Sequence, residues 1–239
     1  MCLVGLFTHG LLDTHFANRG RQGRMIKLMA DTRTHPVGST RAFGIDENTA
    51  LVVTGPWSHR VGEVIGERGV YVFDTAHSVL PMSTTDTSSV TSSLFGIRTH
   101  RLSVGDRIDL NTLAVSPASY KRAMAGRETS EVAKTSTNVF GEGTFEFDTI
   151  ATSLFSSKSH STVGLTMEAS PQYSVVLDKT WSTCMQSASA TVSGTSLDAM
   201  GLSAGANTIA QGFDGVNPNT GLYAYSYADL CINISPVAV

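Results

Sequence analysis

From Asp13 to Arg24 the chain reads Asp-Thr-His-Phe-Ala-Asn-Arg-Gly-Arg-Gln-Gly-Arg. These twelve positions hold one carboxylate, one imidazole and three guanidiniums around two glycines. The imidazole of His15 can carry a proton near neutral pH. At a strand-to-helix turn it can serve as general base for a hydroxyl nucleophile. Arg19, Arg21 and Arg24 can fork onto carboxylates as lysines cannot. A lone histidine is most often a hydrogen-bonded structural residue, and a basic run is often a solvated face. Their clustering in one short segment favours chemistry. A second acidic pair, Asp46-Glu47, precedes an apolar run and could orient an imidazole. Taken alone, two such acids are usually a turn. His9 and His15 lie near Asp13, but the spacing fits no common zinc pattern. The arginines also oppose a cation, so no metal and no cofactor is expected.

The elements that must hold these residues read as α/β in the first half. Leu3–Leu12 is a strand and loop that ends at the Asp-Thr-His turn. Met25–Ala30 is apolar at 25, 26, 28 and 29 with Lys27 between, which suits an amphipathic helix. Ala50–Thr54 reads as a buried strand. Val61–Ile65 and Val70–Phe73 read as strands split by a hairpin turn at Gly66-Glu67-Arg68-Gly69. Residues 74–96 read as a long loop, because Ser83–Ser93 is mostly Ser, Thr, Asp and Val. Ile97–Leu102 and Arg107–Leu110 are short strands around the Val104-Gly105-Asp106 turn. Beyond Gly126 the character changes to Ser/Thr-rich, with short strands at Thr162–Met167 and Ser174–Leu177. A soft boundary therefore falls near 126–135. It separates an α/β portion, 1–125, from a β-rich or partly disordered extension, 126–239.

The totals narrow the function classes. The 239 residues are 41% hydrophobic, enough for a sizeable core, and only 15% charged. A net charge of −3 predicts no nucleic-acid partner. No stretch is apolar for long enough to span a bilayer, so no membrane partner is expected. Met1–Phe7 is apolar but short and lacks a basic start, which makes a poor signal peptide. The three cysteines, at 2, 184 and 231, form no Cys-x-x-Cys pair. Buried free thiols are the favoured reading over a Cys184–Cys231 disulfide. Asn233-Ile234-Ser235 is a formal glycosylation acceptor, weakened by Pro236.

Two motifs in order carry a family resemblance. Asp13-Thr14-His15-Phe16 with Arg19, Arg21, Gly23 and Arg24 comes first. Gly44-Ile45-Asp46-Glu47-Asn48-Thr49-Ala50-Leu51-Val52-Val53 follows. Together they resemble the central motifs of the cyanophycinase-like serine peptidases, with similarity over roughly residues 3–125. Val70-Tyr71-Val72-Phe73-Asp74 and His100-Arg101-Leu102 resemble later parts of the same pattern. The resemblance implies part of a three-layer α/β/α domain of the class I glutamine amidotransferase-like type. It implies a Ser-His-Glu triad that cuts β-aspartyl-arginine or related aspartyl peptides. His15 would be the base and Glu47 its orienting acid. Asp13, Thr14, Arg19, Arg21 and Arg24 would line the substrate pocket. The partner is a peptide substrate, and a homodimer is allowed.

The pattern has departures. Thr14 stands where the bacterial cyanophycinases carry glutamine, which argues against cyanophycin itself as the preferred substrate. The stretch from Arg24 to Glu47 is longer than usual, with His35–Thr40 as the insertion. The family's nucleophile lies upstream, on a Gly-x-Ser-Ala-Gly elbow, and no serine precedes His15 here. The expectation is a C-terminal portion, hydrolytically inactive by itself. Gly201-Leu202-Ser203-Ala204-Gly205 spells the elbow motif in the tail, but the residues before it make a poor buried strand, so a chance match is the favoured reading. Two other readings stay open. One is a non-catalytic binding module for acidic or aspartyl peptides. The other is a self-contained hydrolase using Ser203.

Overall fold

The computed structural model describes residues 7–79, 93–169, 171–185 and 208–237. The fold is mixed α/β, mostly sheet with few helices. The first strand, β1, is Leu11–Thr14, and helix α1 is Gln22–Thr32. Strands β2 (Arg41–Ile45), β3 (Thr49–Thr54), β4 (Val61–Gly66), β5 (Gly69–Asp74) and β6 (Leu94–Ser103) follow. Then come β7 (Arg107–Asp109), β8 (Val115–Ser116), β9 (Arg122–Ala123) and helix α2 (Glu146–Phe155). The chain closes with β10 (Ser161–Leu165), β11 (Tyr173–Asp178), β12 (Gln211–Val216) and β13 (Tyr223–Pro236).

The main sheet runs β1-β2-β5-β6-β13-β11-β10, with β12 also against β13 and β9 against β12. Only β1 and β2 of this path pair in parallel. Strand β5 is buried along its whole length, so its alternate side chains serve two cores. Tyr71 and Phe73 point into the cluster shared with α1 and α2. Val70 and Val72 point into a second cluster with Phe43, Leu102, Val64 and Ile108. That second core lies under a small sheet of order β3-β4-β7-β8. Residues 181–185 form a short helical stretch farther along, where Trp181, Cys184 and Met185 pack with Phe95 and Cys231. Among the described residues, α1 and α2 share one core, and the small sheet, not a long helix, covers the other.

The amphipathic helix read at Met25–Ala30 lies inside α1, with Met25, Ile26 and Met29 buried and Leu28 exposed. Several other sequence expectations change. The run Ala50–Thr54 is not a buried strand. In β3 half-buried and exposed residues alternate, because β3 is an edge of the small sheet. Gly66–Gly69 is not a hairpin turn. It carries the chain from β4 in the small sheet to β5 in the main one. Of the strand read at Leu3–Leu12, residues 1–6 lie outside the described residues, and the strand itself extends on to Thr14. The loop read at 74–96 ends earlier, since β6 begins at Leu94.

The second half behaves differently from its composition. The boundary near 126–135 does not divide two cores. Strand β13 lies between β6 and β11, and one cluster joins Phe16 and Met29 to Phe147, Leu154 and Ile232. Cys184 and Cys231 form a disulfide, in place of the two free thiols expected. Cys2 lies outside the described residues. Asn233 is buried in β13, where Oδ1 accepts the Gly96 N–H at 2.9 Å and Nδ2 donates to the Cys184 carbonyl at 2.8 Å. A folded chain offers no glycosylation acceptor there.

Close approach requires a glycine at position 44. A Cβ there would sit 2.2 Å from the nearest ring atom of the fully buried Phe16. Gly44→Ala is expected to lower stability by about 2–4 kcal/mol, since neither the strand nor the ring can give way cheaply. Urea denaturation of the two forms reads this directly.

Candidate functional site

Strand β1 ends at Thr14, and His15 follows with a left-handed φ of 52°. Such a conformation is uncommon outside glycine and persists when the surroundings over-determine it. Here two contacts do so. Phe16 drops into the core against Gly44, Tyr71 and Phe73. The backbone N–H of Ala17 donates to Asp46 Oδ1 at 2.8 Å. With Phe16 turned inward, the His15 side chain is left 53% exposed.

Strand β2 runs parallel to β1 and ends one residue before Asp46. The two acids at its end have separate tasks. Glu47 reaches the imidazole, with His15 Nδ1 and Glu47 Oε1 3.0 Å apart. With the proton on Nδ1 donated to the carboxylate, Nε2 keeps its lone pair and can accept a proton. Burial raises the Glu47 carboxyl, but its own backbone N–H and the side chains of His15 and Asn18 hold it below the ordinary carboxylate value. It is therefore ionised at neutral pH and able to orient the ring. Asp46 does not touch the imidazole. It is buried and accepts from Ala17 and, at 3.3 Å, from the Gly69 N–H. Burial is the main cause that pushes its carboxyl up to about 6. The acidic pair by its residue types did not tell the two apart; the family resemblance singled out Glu47 and left Asp46 without a task.

The other residues read from the sequence divide into two places. Arg21 ion-pairs with Asp13 through Nη1, which also donates to the Thr14 carbonyl at 3.0 Å. Asp13 Oδ1 accepts the Thr14 N–H at 2.8 Å as well. Asp13, Thr14, His15, Arg21 and Glu47 thus form one connected group. Asp13 is already engaged there, so a substrate cation would have to share it with Arg21. Arg19 and Arg24 lie elsewhere, on the rim of a cleft of about 750 Å³ floored by Ile26, Phe140, Tyr173 and Ile234. Neither guanidinium makes a hydrogen bond or ion pair to a described residue. Glu142, Thr166, Glu168 and Pro171 also line this cleft, and the sequence reading had left them outside the site.

Among the described residues, no serine or threonine hydroxyl hydrogen-bonds to the His15 ring, whose side-chain partner there is the Glu47 carboxylate. Ser203 lies outside the described residues. No group of three or more His, Cys, Asp or Glu among the described residues could hold a metal ion. No helix among them is long and apolar enough to cross a membrane.

No protein-family model matches the chain. It is 31% identical over 120 residues to a cyanophycinase of Trichormus variabilis, and equally to one of a Nostoc species. The match covers 49% of this chain and 37% of each relative. The chain thus spans little more than a third of the length of these curated relatives, and part of it is related to cyanophycinases.

The raised Asp46 carboxyl has a signed consequence for stability. The folded chain binds this proton more tightly than the unfolded chain, whose value is about 3.8. The Asp46 contribution to stability therefore falls as pH rises from about 4 through about 6. The stability of the wild type relative to Asp46→Asn is expected to drop by roughly 3 kcal/mol across that window. Parallel chemical denaturations at pH 4 and pH 7.5 check the sign and the size.

Proposed function

We propose that this chain carries the base-and-acid part of a cyanophycinase-like serine peptidase site. The substrate class is β-aspartyl-arginine or related aspartyl peptides. The observation that carries the reading is the 3.0 Å contact between His15 Nδ1 and Glu47, at the junction of two parallel strands. Relatedness to cyanophycinases over 120 residues supports it. The fold that accompanies this reading is part of an α/β/α domain of the class I glutamine amidotransferase-like type.

In this mechanism Glu47 holds the Nδ1–H tautomer and stabilises the imidazolium that forms. His15 Nε2 removes the proton from a hydroxyl nucleophile as that oxygen attacks the peptide carbonyl. It then returns the proton to the departing amine. Arg21, held between Asp13 and the Thr14 carbonyl, presents its remaining N–H donors to a substrate carboxylate. Under this reading the nucleophile is sought outside the described residues, because no hydroxyl among them bonds to His15. One source is the segment around Ser203. The other is polypeptide that corresponds to the part of the relatives this chain does not cover.

The lack of a hydroxyl partner on His15 among the described residues favours a second reading, a module that holds acidic or aspartyl peptides without cutting them. One experiment separates the two. Hydrolysis and calorimetric binding of β-aspartyl-arginine are measured with the native protein and its His15→Ala form. Under the peptidase reading, His15→Ala cuts turnover by about 10²–10⁴-fold. Binding without turnover, unchanged by Ser203→Ala, transfers the conclusion to the binding module. Fluorophosphonate labelling of Ser203 transfers it to a self-contained hydrolase. Neither binding nor turnover overturns both the peptidase and the binding-module readings.

A further inference from the structure

Asp46 has the strongest claim to a task beyond those already described. It is 5% exposed, and both of its oxygens are used on backbone, the Ala17 N–H at 2.8 Å and the Gly69 N–H at 3.3 Å. A carboxylate is expensive to bury, and a neutral asparagine or serine could accept an N–H at far lower cost. The two donors it joins are informative. Ala17 lies two residues after His15, and Gly69 opens β5. The clamp therefore ties the turn that carries His15 to the main sheet, while the next residue, Glu47, orients the His15 ring.

We propose that Asp46 is the positioning residue of this site, the group that fixes the left-handed turn at His15 and so delivers Nδ1, not Nε2, to Glu47. The assignment rests on the reading of His15 and Glu47 as base and orienting acid. Besides Phe16 and Glu47, backbone contacts hold the His15 turn: the Arg21 N–H on the Phe16 carbonyl at 3.1 Å, Arg21 Nη1 on the Thr14 carbonyl at 3.0 Å and Asp46 on the Ala17 N–H at 2.8 Å. Of these three, Asp46 is the one that ties the turn to the end of β2 and the start of β5. Phe16 fixes where the turn enters the core, and Glu47 acts only on a ring already in place. A turn held by Phe16 alone could pivot about that ring. The Ala17 N–H bond removes the pivot.

The charged and titratable groups around Asp46 come from each element packed on it. Arg101 on β6 favours the ionised carboxyl, and Asp148 on α2 opposes it. Tyr71 on β5 stands in the same field, and Glu47 is the next residue along the chain. Arg101 is itself held by Asp148 at 3.3 Å and by the Tyr225 carbonyl at 2.7 Å. Asp148, which opposes the ionised Asp46, comes from beyond residue 126, far in sequence from His15.

The test uses the full chain labelled with ¹⁵N. Long-range proton–nitrogen spectra at pH 8 report which ring nitrogen of His15 bears the proton. The wild type is expected to show the Nδ1–H form. In Asp46→Ala the ring is expected to relax toward the mixed population of free imidazole, although Glu47 is intact. Asp46→Asn, which keeps one acceptor, is expected to fall between them. A folded Asp46→Ala chain that retains the Nδ1–H form overturns the proposal. Should Asp46→Ala fail to fold, the wild type still decides. The Ala17 and Gly69 amide protons are expected to shift together with the Asp46 carboxyl carbon as it titrates, and a flat Ala17 amide overturns the proposal. None of these readouts needs turnover, so they stand apart from the His15→Ala hydrolysis assay that tests the underlying reading.

Discussion

The guanidinium of Arg101 is the point on which the two halves of this protein converge. It projects from β6 into a setting where a charge survives only if it is paired. Its Nε lies 3.2 Å from the Tyr71 hydroxyl and 3.3 Å from Asp148 Oδ2, and Nη1 donates to the Tyr225 carbonyl at 2.7 Å. The Tyr225 ring lies 3.8 Å beneath it. Tyr71 in turn donates to Asp148 at 2.6 Å. Satisfying one buried cation therefore brings β5, β6, α2 and β13 together. Removing one of these partners would leave an uncompensated buried charge, at a cost of roughly 3–5 kcal/mol.

A second buried pair handles the crossing between sheets. Lys121 and Asp106, whose side chains are fully buried, meet at 2.6 Å. Asp106 also accepts the N–H groups of Ser103 and Ala118, each at 2.8 Å. These contacts pin the turn where the chain leaves β6 in the main sheet for β7 in the small one. At the other crossing Gly66, with φ of 111°, takes a conformation that side chains rarely adopt, and Asp46 holds the Gly69 N–H. Buried carboxylates at both crossings supply fixed acceptors where the sheet ladders stop.

The candidate site grows out of this frame. His15 leaves β1 in a left-handed turn because Phe16 is captured by the core and Ala17 by Asp46. The imidazole then meets Glu47 at the end of the neighbouring parallel strand. Two parallel strand ends side by side give a compact way to place a base and its orienting acid within hydrogen-bond reach. The arginines are shared between this group and the cleft beside α1, because Arg21 points back toward Asp13 while Arg19 and Arg24 face the cleft.

Much of the local structure was legible in the sequence. The helix at 25–30, the strands near 61–65, 70–73 and 97–102, and the crowding of Asp13, His15 and the arginines all follow from short-range pattern. Partner choice was not. β13 is long and central, yet its Tyr, Ala and Ser residues lie next to a Ser/Thr/Gly-rich stretch. What makes it a core strand is pairing with β6, more than a hundred residues earlier. For the same reason the change of composition near 126–135 is matched by no division of the core among the described residues. The Cys184–Cys231 bridge and the burial of Asn233 likewise depend on which strand lies beside which. By itself the sequence determined residue chemistry and local conformation, because these depend on neighbours a few positions apart. The family resemblance pointed to Glu47 as the acid for His15; only the tertiary structure supplied their contact, the acid that holds the neighbouring backbone and the strands that enclose both. Hydrogen bonds and buried charges are satisfied by proximity in space, whatever the distance along the chain.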